Sequence, residues 1–443
     1  MDDSKPAPER PPVTALSRDE SLLEPRFQAQ NVFVFASLWS LTYLAAPALY
    51  VGFVHAALCK RLHTSDTIAN LSSTVFLAMA WCPVVIAWLI PQARLLKRTM
   101  GIAYGFMAFA GVMVVAALLV GAPPAVVVGA LLSHAAIVGC TNAVTFTFNW
   151  EALDRGVPES LRGKALGLAF GWGPAFAVVG SLGAQLLLEG RLFGWQLPPR
   201  LAVPYPYSYA TLFGVGAVLM ALSAFLVRFY RIPLPQVDAK RESFKTAVFG
   251  GLRSVLDNRV LLIACAAYIL VYCGNMVQNN MTIFTKEAIG RSPEDLAGYE
   301  LALRFSFKML AGFLLGMALT RTNAKVPLLI TICLQIAGVL WVLFVPGYWF
   351  LLAFGINGAG ELFGVYYVNY PVTCSPKSQV RRNIAFLMLF SSVVGLAPVF
   401  YGWISDTWGL RASFWAALGL LTLTTALVVA KLPSRPRPAA DSS

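Results

Sequence analysis

Charge is what this sequence has least of: charged residues make up 12% of the chain and hydrophobic residues 58%. Soluble domains carry roughly 25% charged residues, so this chain lacks the polar surface that water demands. Histidine is scarcer still. There are 3, and His55, His63 and His134 are too dispersed along the chain to suggest a metal site. The phosphate-cradling spacing G-x-x-x-x-G-K-[ST] is missing, which argues against ATP hydrolysis. No catalytic constellation competes with a non-enzymatic reading, and no cofactor is implied. The 7 cysteines form no framework. Cys82, Cys140, Cys265, Cys273 and Cys333 lie in apolar runs, where a thiol behaves as a small hydrophobe. Cys59 and Cys374 fall in connections expected on opposite sides of a membrane, which rules out their pairing. A cleavable signal sequence is also lacking: Pro6, Pro8, Pro11 and Pro12 are mixed with charges of both signs and no apolar core follows. Residues 1–30 and 432–443 read as disordered cytoplasmic tails.

What the sequence does have is long apolar runs. A hydrocarbon core about 30 Å thick takes roughly 20 apolar residues of helix. Twelve such runs are expected, at 31–57, 67–90, 99–121, 123–149, 165–188, 208–228, 259–285, 298–320, 326–345, 347–370, 384–404 and 411–431. The fold class that follows is an all-α polytopic membrane protein. The net charge of +13 fits that topology without nucleic acid. With both termini cytoplasmic, Lys and Arg crowd into the N-terminal tail, 91–98, 150–164, 228–259, 321–325, 371–383 and the C-terminal end. The opposite connections hold only Lys60, Arg61, Arg191, Arg200, Lys286, Arg291 and Arg411. That bias is the positive-inside pattern, and the basic segments lie where anionic headgroups are. The connection 229–258 divides the chain into an N-terminal six-helix bundle, 31–228, and a C-terminal one, 259–431. Within it, Phe244, Val248, Leu252 and Val255 fall at helical spacing and predict a surface helix over 243–256.

Two stretches carry a resemblance. The segment Pro158-Glu-Ser-Leu-Arg162-Gly163-Lys164 leads into a run holding Gly167, Gly171, Gly173, Pro174, Gly180 and Gly183. Between spans eleven and twelve the chain reads Gly402-Trp-Ile-Ser-Asp406-Thr-Trp-Gly409-Leu-Arg411, followed by Phe414 and Trp415. Both resemble the major facilitator superfamily, the first its proline–acid–arginine–glycine approach to helix five, the second its G-x-x-x-D-x-x-G-x-R element. Span four ends Phe148-Asn149-Trp150 and span ten ends Val368-Asn369-Tyr370, each followed by proline and arginine, as two related halves would be. Gly316 to Lys325 is a weaker relative of the second element. The sequence departs from the family at 91–98, which lacks the usual acid and glycine, and at Thr320, where an acid is expected. The resemblance implies twelve transmembrane helices in two pseudo-symmetric six-helix bundles. It also implies alternating access around a central site, with Arg162, Gly163, Arg321, Asp406 and Arg411 in gating. The glycines of span five are expected to let the two bundles approach closely.

Intramembrane charge points to the site. An Arg, Lys or Asp at mid-helix costs about 2.5–3.5 kcal/mol, so Arg304, Lys308 and Glu361 unpaired would cost on the order of 8–10 kcal/mol. Glu300, Arg304 and Lys308 recur at i, i+4 and i+8 and share one face of span eight. Glu361 lies near the middle of span ten, with Asn357 one turn away. A brace is the plain reading: Glu300 pairs with Arg304 and Glu361 with Lys308. The functional reading makes Arg304 and Lys308 an anion site, with Glu361 or Glu300 taking a coupling proton. Spans three, six, nine and twelve, which face lipid in the superfamily, carry Gln335 as their one notable polar group, so the mid-membrane charges all fall on spans that would line the cavity.

Other polar residues add candidates. His134 in span four is a second proton site, or a histidine bonded to a neighbouring helix. Asn142, Thr145 and Asn149 fall near one face of span four as hydroxyl binders or as interhelical glue. Asn275, Gln278, Asn279 and Asn280 cluster in span seven and favour substrate contact. Trp172, Tyr366 and Tyr367 read first as packing aromatics. The expected function is secondary active transport of a small organic anion with proton coupling. The first rival is a proton-coupled sugar or nucleoside carrier; the rival of another class is a non-transporting sensor or partner subunit on the same scaffold. The expected partners are a small-molecule substrate, a proton and the lipid bilayer, with no nucleic acid, no metal and no cofactor. A monomer in a bacterial inner membrane fits these readings.

Overall fold

Helix accounts for nearly all of the ordered backbone. The computed structural model describes residues 23–90, 92–157, 161, 164–165, 167–233, 256, 258–374, 389 and 392–434. Arg162 and Gly163, the surface helix over 243–256 and most of both tails lie outside these residues. Among the described residues, 9 helices are long and apolar enough to cross a membrane. They correspond to spans two to nine and twelve. The remaining spans are present in interrupted or partial form. Span one is built of Pro25–Leu44, Ala46–Leu49 and Phe53–Arg61. Span ten runs through a 3₁₀ turn, Gly347–Leu351, into Leu352–Gly360 and Phe363–Cys374. Span eleven is described over Leu396–Trp408.

Local chemistry sets several boundaries. Ser65 accepts a hydrogen bond from the Ile68 amide and starts span two. Asn258 accepts from the Val260 and Leu261 amides and starts span seven. Both satisfy donors that a helix N-terminus leaves free. Gly190 and Gly290 end spans five and seven in the left-handed conformation that costs glycine least. A short hairpin, Arg191–Leu192 with Trp195–Gln196, joins spans five and six.

Spans one to six pack together, as do spans seven to twelve. Span three lies against spans four and six, and span two against span four. In the second half, span nine lies against spans ten and twelve, and span seven against span twelve. Large apolar side chains point outward from spans three (Ile102, Phe106, Phe109), six (Val215, Val218, Phe225) and twelve (Leu423, Val429), as a lipid-facing surface requires. Gln335 of span nine points the other way. It is fully buried and accepts from Asn275 Nδ2 of span seven at 3.1 Å.

The two halves meet mainly along spans five and eight and along spans two and eleven. Apart from the Arg304–Tyr50 bond, the hydrogen bonds described here that cross between the halves lie in the part of the bundle away from the chain termini. Asn70 Nδ2 donates to Asn280 Oδ1 (2.7 Å) and Asn279 Nδ2 to Ser73 Oγ (2.8 Å). The Val399 amide donates to Thr74 Oγ1 (3.1 Å). Gln185 of span five accepts from the Gly298 amide of span eight at 3.0 Å and donates to the Asp295 carbonyl. Arg61 pairs with Glu294, which also accepts from Tyr209 at 3.3 Å. The molecule is sealed at this end.

Glycine permits the approach at the seal, at positions other than those expected. A Cβ on Gly298 would stand 2.4 Å from Gln185 Cβ and 2.5 Å from the Ser181 carbonyl, so only glycine fits. Span five's own glycines serve elsewhere. Gly173 seats the Tyr43 ring and Gly180 the Leu44 carbonyl, both of span one in the same half, and Gly183 meets nothing. The close cross-bundle contact depends on span eight's glycine because span five presents Ser181 and Gln185 there.

Candidate functional site

Three interrupted helices converge at mid-depth. Span one opens at Tyr50–Gly52, where Gly52 has φ +142° and a Cβ would fall 2.5 Å from Asn279 Oδ1. Span seven tightens at Met276–Val277, with the Asn280 amide bonding back to the Val277 carbonyl. Span ten tightens at Glu361–Leu362, with the Gly364 amide bonding back to the Glu361 carbonyl. Irregular backbone at membrane depth is tolerated only where it is buried in protein or lines a cavity. Interrupted helices in corresponding positions of two repeats mark binding sites in transporters.

Arg304 stands between these interruptions. Its guanidinium donates from Nη2 to Tyr50 OH at 2.8 Å and pairs with the Glu361 carboxylate. It also lies over the rings of Tyr50 (4.4 Å) and Phe53 (4.7 Å), two favourable cation–π contacts. Lys308 Nζ reaches the other Glu361 oxygen at 3.3 Å. Arg304 and Glu361 are buried to 2% and 4% side-chain exposure, whereas Lys308 keeps 23% and is the open side of the group. Two cations therefore share one carboxylate. Arg304 Nε and Nη1 are buried without a hydrogen-bond acceptor among the described residues. Gly358 makes the group possible: a Cβ there would come within 2.3 Å of the Arg304 carbonyl, so glycine lets span ten lie directly on span eight.

Glu300 lies apart. Its carboxylate accepts from Thr282 and Thr285 of span seven, each at 2.8 Å. The brace pairing of Glu300 with Arg304 is replaced by one in which Glu361 holds both cations, because the span-ten interruption aims Glu361 at Arg304.

Residues 265–443 match the model of the Major Facilitator Superfamily. Over that stretch, the C-terminal part of the chain, the sequence is similar to that superfamily. No curated protein matches the sequence. Among solved structures the chain is similar to the nucleoside transporter NupG (TM-score 0.63, 14% identity, covering 91% of this chain and 98% of that one). It is also similar to the D-xylose-proton symporter (0.62, 14%, 92% and 99%) and to the E. coli fucose:proton symporter FucP (0.59, 16%, 91% and 98%). At these identities the likeness speaks for the fold.

The other candidates sort by location. Asn275 donates to Gln335 and, at 2.9 Å, to Asn357 Oδ1, so both belong to the interior of the second half. Asn279 and Asn280 belong to the seal, Asn280 also donating to Ser405 and Ser413 at 2.7 and 2.8 Å. Gln278 is buried beside the span-seven interruption. Asn149 ties span four to Tyr104 (3.0 Å) and Tyr230 (3.3 Å) inside the first half. Asn142 is half-buried, one turn from Phe146. His134 is not alone: its Nδ1 lies 3.1 Å from His55 Nε2, and both rings stand edge-on to Phe213 in the core of the first half.

The gating candidates divide between the two ends. Asp406 accepts from the Asp66 amide (2.9 Å), the Thr67 amide (3.0 Å) and the Thr67 hydroxyl, so a carboxylate of one half caps a helix of the other. Gly402 rests on the same turn, with a Cβ position 2.7 Å from Thr67 Cα. Arg411 lies over the Phe284 ring at 5.6 Å. Arg321 is exposed at the opposite end of span eight.

Sequence reasoning missed Tyr50 and Phe53, because aromatics are common in apolar helices and carry no charge signal. The spacing of Trp39, Tyr43 and Tyr50 on one face of span one was the available clue.

Proposed function

We propose that the chain is a secondary transporter of a small organic anion bearing a single negative charge, working by alternating access with proton coupling. The observation that carries this reading is the sharing of Glu361 by Arg304 and Lys308 where three helix interruptions meet. Two cations and one carboxylate leave one positive charge in surroundings where uncompensated charge is costly. A monoanion cancels it. Arg304 Nε and Nη1 are the free donors for such a ligand, and Lys308 is the more exposed of the two cations. Glu300 is the buried carboxylate with no cation partner among the described residues, which favours it as the group that carries the coupling proton. Glu361 serves as the internal anion that the substrate displaces.

The contacts away from the termini, read with the positive-inside bias, favour a reading with the termini in the cytoplasm and the outer end closed. Asp406, Arg61 with Glu294, and Gln185 with Gly298 then close the outer gate. A monomer in a bacterial inner membrane accommodates this arrangement. Among the solved structures of similar fold are nucleoside and sugar carriers, which keeps a neutral polyol as the second reading. The span-seven amides that would bind one are engaged with Gln335, Asn357, Ser73 and Asn70, and this favours the anion.

The test is uptake into proteoliposomes of radiolabelled anions, sugars and nucleosides, with and without an inward proton gradient. Wild type is expected to accumulate a monoanion, and Lys308→Ala to lose it. Transport of neutral solutes alone, unchanged in Lys308→Ala, makes the charges a brace and removes the anion reading.

A further inference from the structure

The charges of the site all come from the second half, yet the first half is not blank where it faces them. Trp39, Tyr43 and Tyr50 lie on one face of span one, at i, i+4 and i+11. That face looks at the second half: Tyr50 bonds to Arg304, and the Tyr43 and Tyr50 rings stand edge-on to Phe305 of span eight at 6.1 and 5.8 Å. Farther along the same face, toward the termini, Trp39 collects aromatics from two other spans. Phe170 of span five lies 4.8 Å from it and Phe146 of span four 5.7 Å. Trp150, one turn beyond Phe146, stacks on Phe170 with planes 16° apart and centroids at 6.0 Å. Rings from spans four and five thus meet across the front of span one. Unlike core aromatics they remain open, with Phe146 45% and Trp150 37% exposed.

We propose that the transported anion is aromatic: its single negative group takes Lys308 and Arg304, and its ring lies against the surface formed by Trp39, Phe146, Trp150 and Phe170. This rests on the monoanion reading and narrows it. Three observations favour an aromatic carboxylate over an aliphatic one. The rings continue the face of span one whose Tyr50 bonds to Arg304, so a ligand held by the charged group has them beside it. The Tyr43 ring stands edge-on to Phe305 of span eight at 6.1 Å, and the Trp39 ring follows 6.1 Å from it. Rings placed so suit a carboxylate joined to a ring by a short alkyl link. Third, Asn142 shares the Phe146 and Trp150 face of span four, and its side chain has no hydrogen bond among the described residues, leaving an amide for a ring substituent. Flat rings in offset or edge-on contact gain beyond the burial of area alone.

The experiment is proteoliposome uptake of 3-phenylpropanoate, benzoate, acetate, lactate, glucose and uridine, on wild type, Trp150→Leu and Lys308→Ala. Trp150 is partly exposed, so its replacement leaves the core intact, and thermal melting checks this. Expected is saturable uptake of 3-phenylpropanoate at least tenfold faster than acetate or lactate at equal concentration. Trp150→Leu should raise its KM about tenfold with kcat nearly unchanged. Equal uptake of aliphatic and aromatic monoanions overturns the proposal and leaves the monoanion reading standing. A fall in kcat with KM unchanged in Trp150→Leu also overturns it, because the rings then serve gating. Uptake of glucose or uridine alone overturns both.

Discussion

The first and second halves of the chain contribute unequally to the site and equally to the seal. Arg304, Lys308, Glu361 and Glu300 all belong to the second half, and the first half answers with Tyr50, Phe53 and the rings around Trp39. At the seal the halves meet partner for partner, Gln185 with Gly298, Thr67 with Asp406, Asn70 with Asn280 and Ser73 with Asn279. The difference follows from what each region must do. A site that holds a charge needs its cations and carboxylate in one rigid frame, since breaking a buried pair costs about 3–5 kcal/mol. On the transport reading proposed above, a seal that opens in every cycle needs contacts that come apart cheaply. Neutral hydrogen bonds contribute about 0.5–1.5 kcal/mol each and are regained from water.

The largest expected effect comes from the charged side. Arg304→Ala leaves Glu361 with Lys308 alone and strips the cation from Tyr50 and Phe53, so uptake normalised to membrane protein should fall by about 100-fold or more. Survival within a few-fold would turn the second-half charges into a brace and erase the asymmetry. Next comes the seal, where the halves should count alike. Gly298→Ala forces a Cβ against Gln185, and Gln185→Ala removes three bonds from the other side. Both should slow transport about tenfold and raise labelling of a cysteine at position 61 by an impermeant reagent added outside. A large effect from one partner only would break the equivalence.

A tenfold change of preference is expected from Glu361→Gln, which leaves two positive charges where there was one. Competition assays should show dianions gaining on monoanions by about that factor. The smallest effect belongs to Asp406→Asn. It keeps an acceptor for the first turn of span two and loses the charge at a helix N-terminus, worth about 0.3–1 kcal/mol. Spin-label distances across the seal should show the open population rising about fivefold or less.

How legible was this from sequence? Apolar run length is a local property, so spans two to nine and twelve emerged near their expected places. Spans one and ten were expected as continuous runs and are interrupted at Tyr50–Gly52 and at Glu361–Leu362. Neither interruption interferes with hydropathy, which is why counting residues misses it. The cost of intramembrane charge singled out Arg304, Lys308 and Glu361 correctly as a group to be explained, since a lone ion in lipid is expensive wherever it sits. Their pairing was not legible. Helical spacing favours Glu300 for Arg304 at i, i+4, and the structure gives Glu361, from 57 residues away.

The amides of span seven show the same limit. Four neighbours in sequence point in different directions, so Asn275 serves the interior of the second half while Asn279 and Asn280 serve the seal. The sequence by itself determined that this chain is a multi-pass membrane protein and which residues carry costly charge, because each follows from transfer free energy summed along the chain. Tertiary structure alone decided which carboxylate meets which cation and which glycine admits the neighbouring half. It also decided which rings face the charges, because those depend on distances between helices that no local pattern encodes.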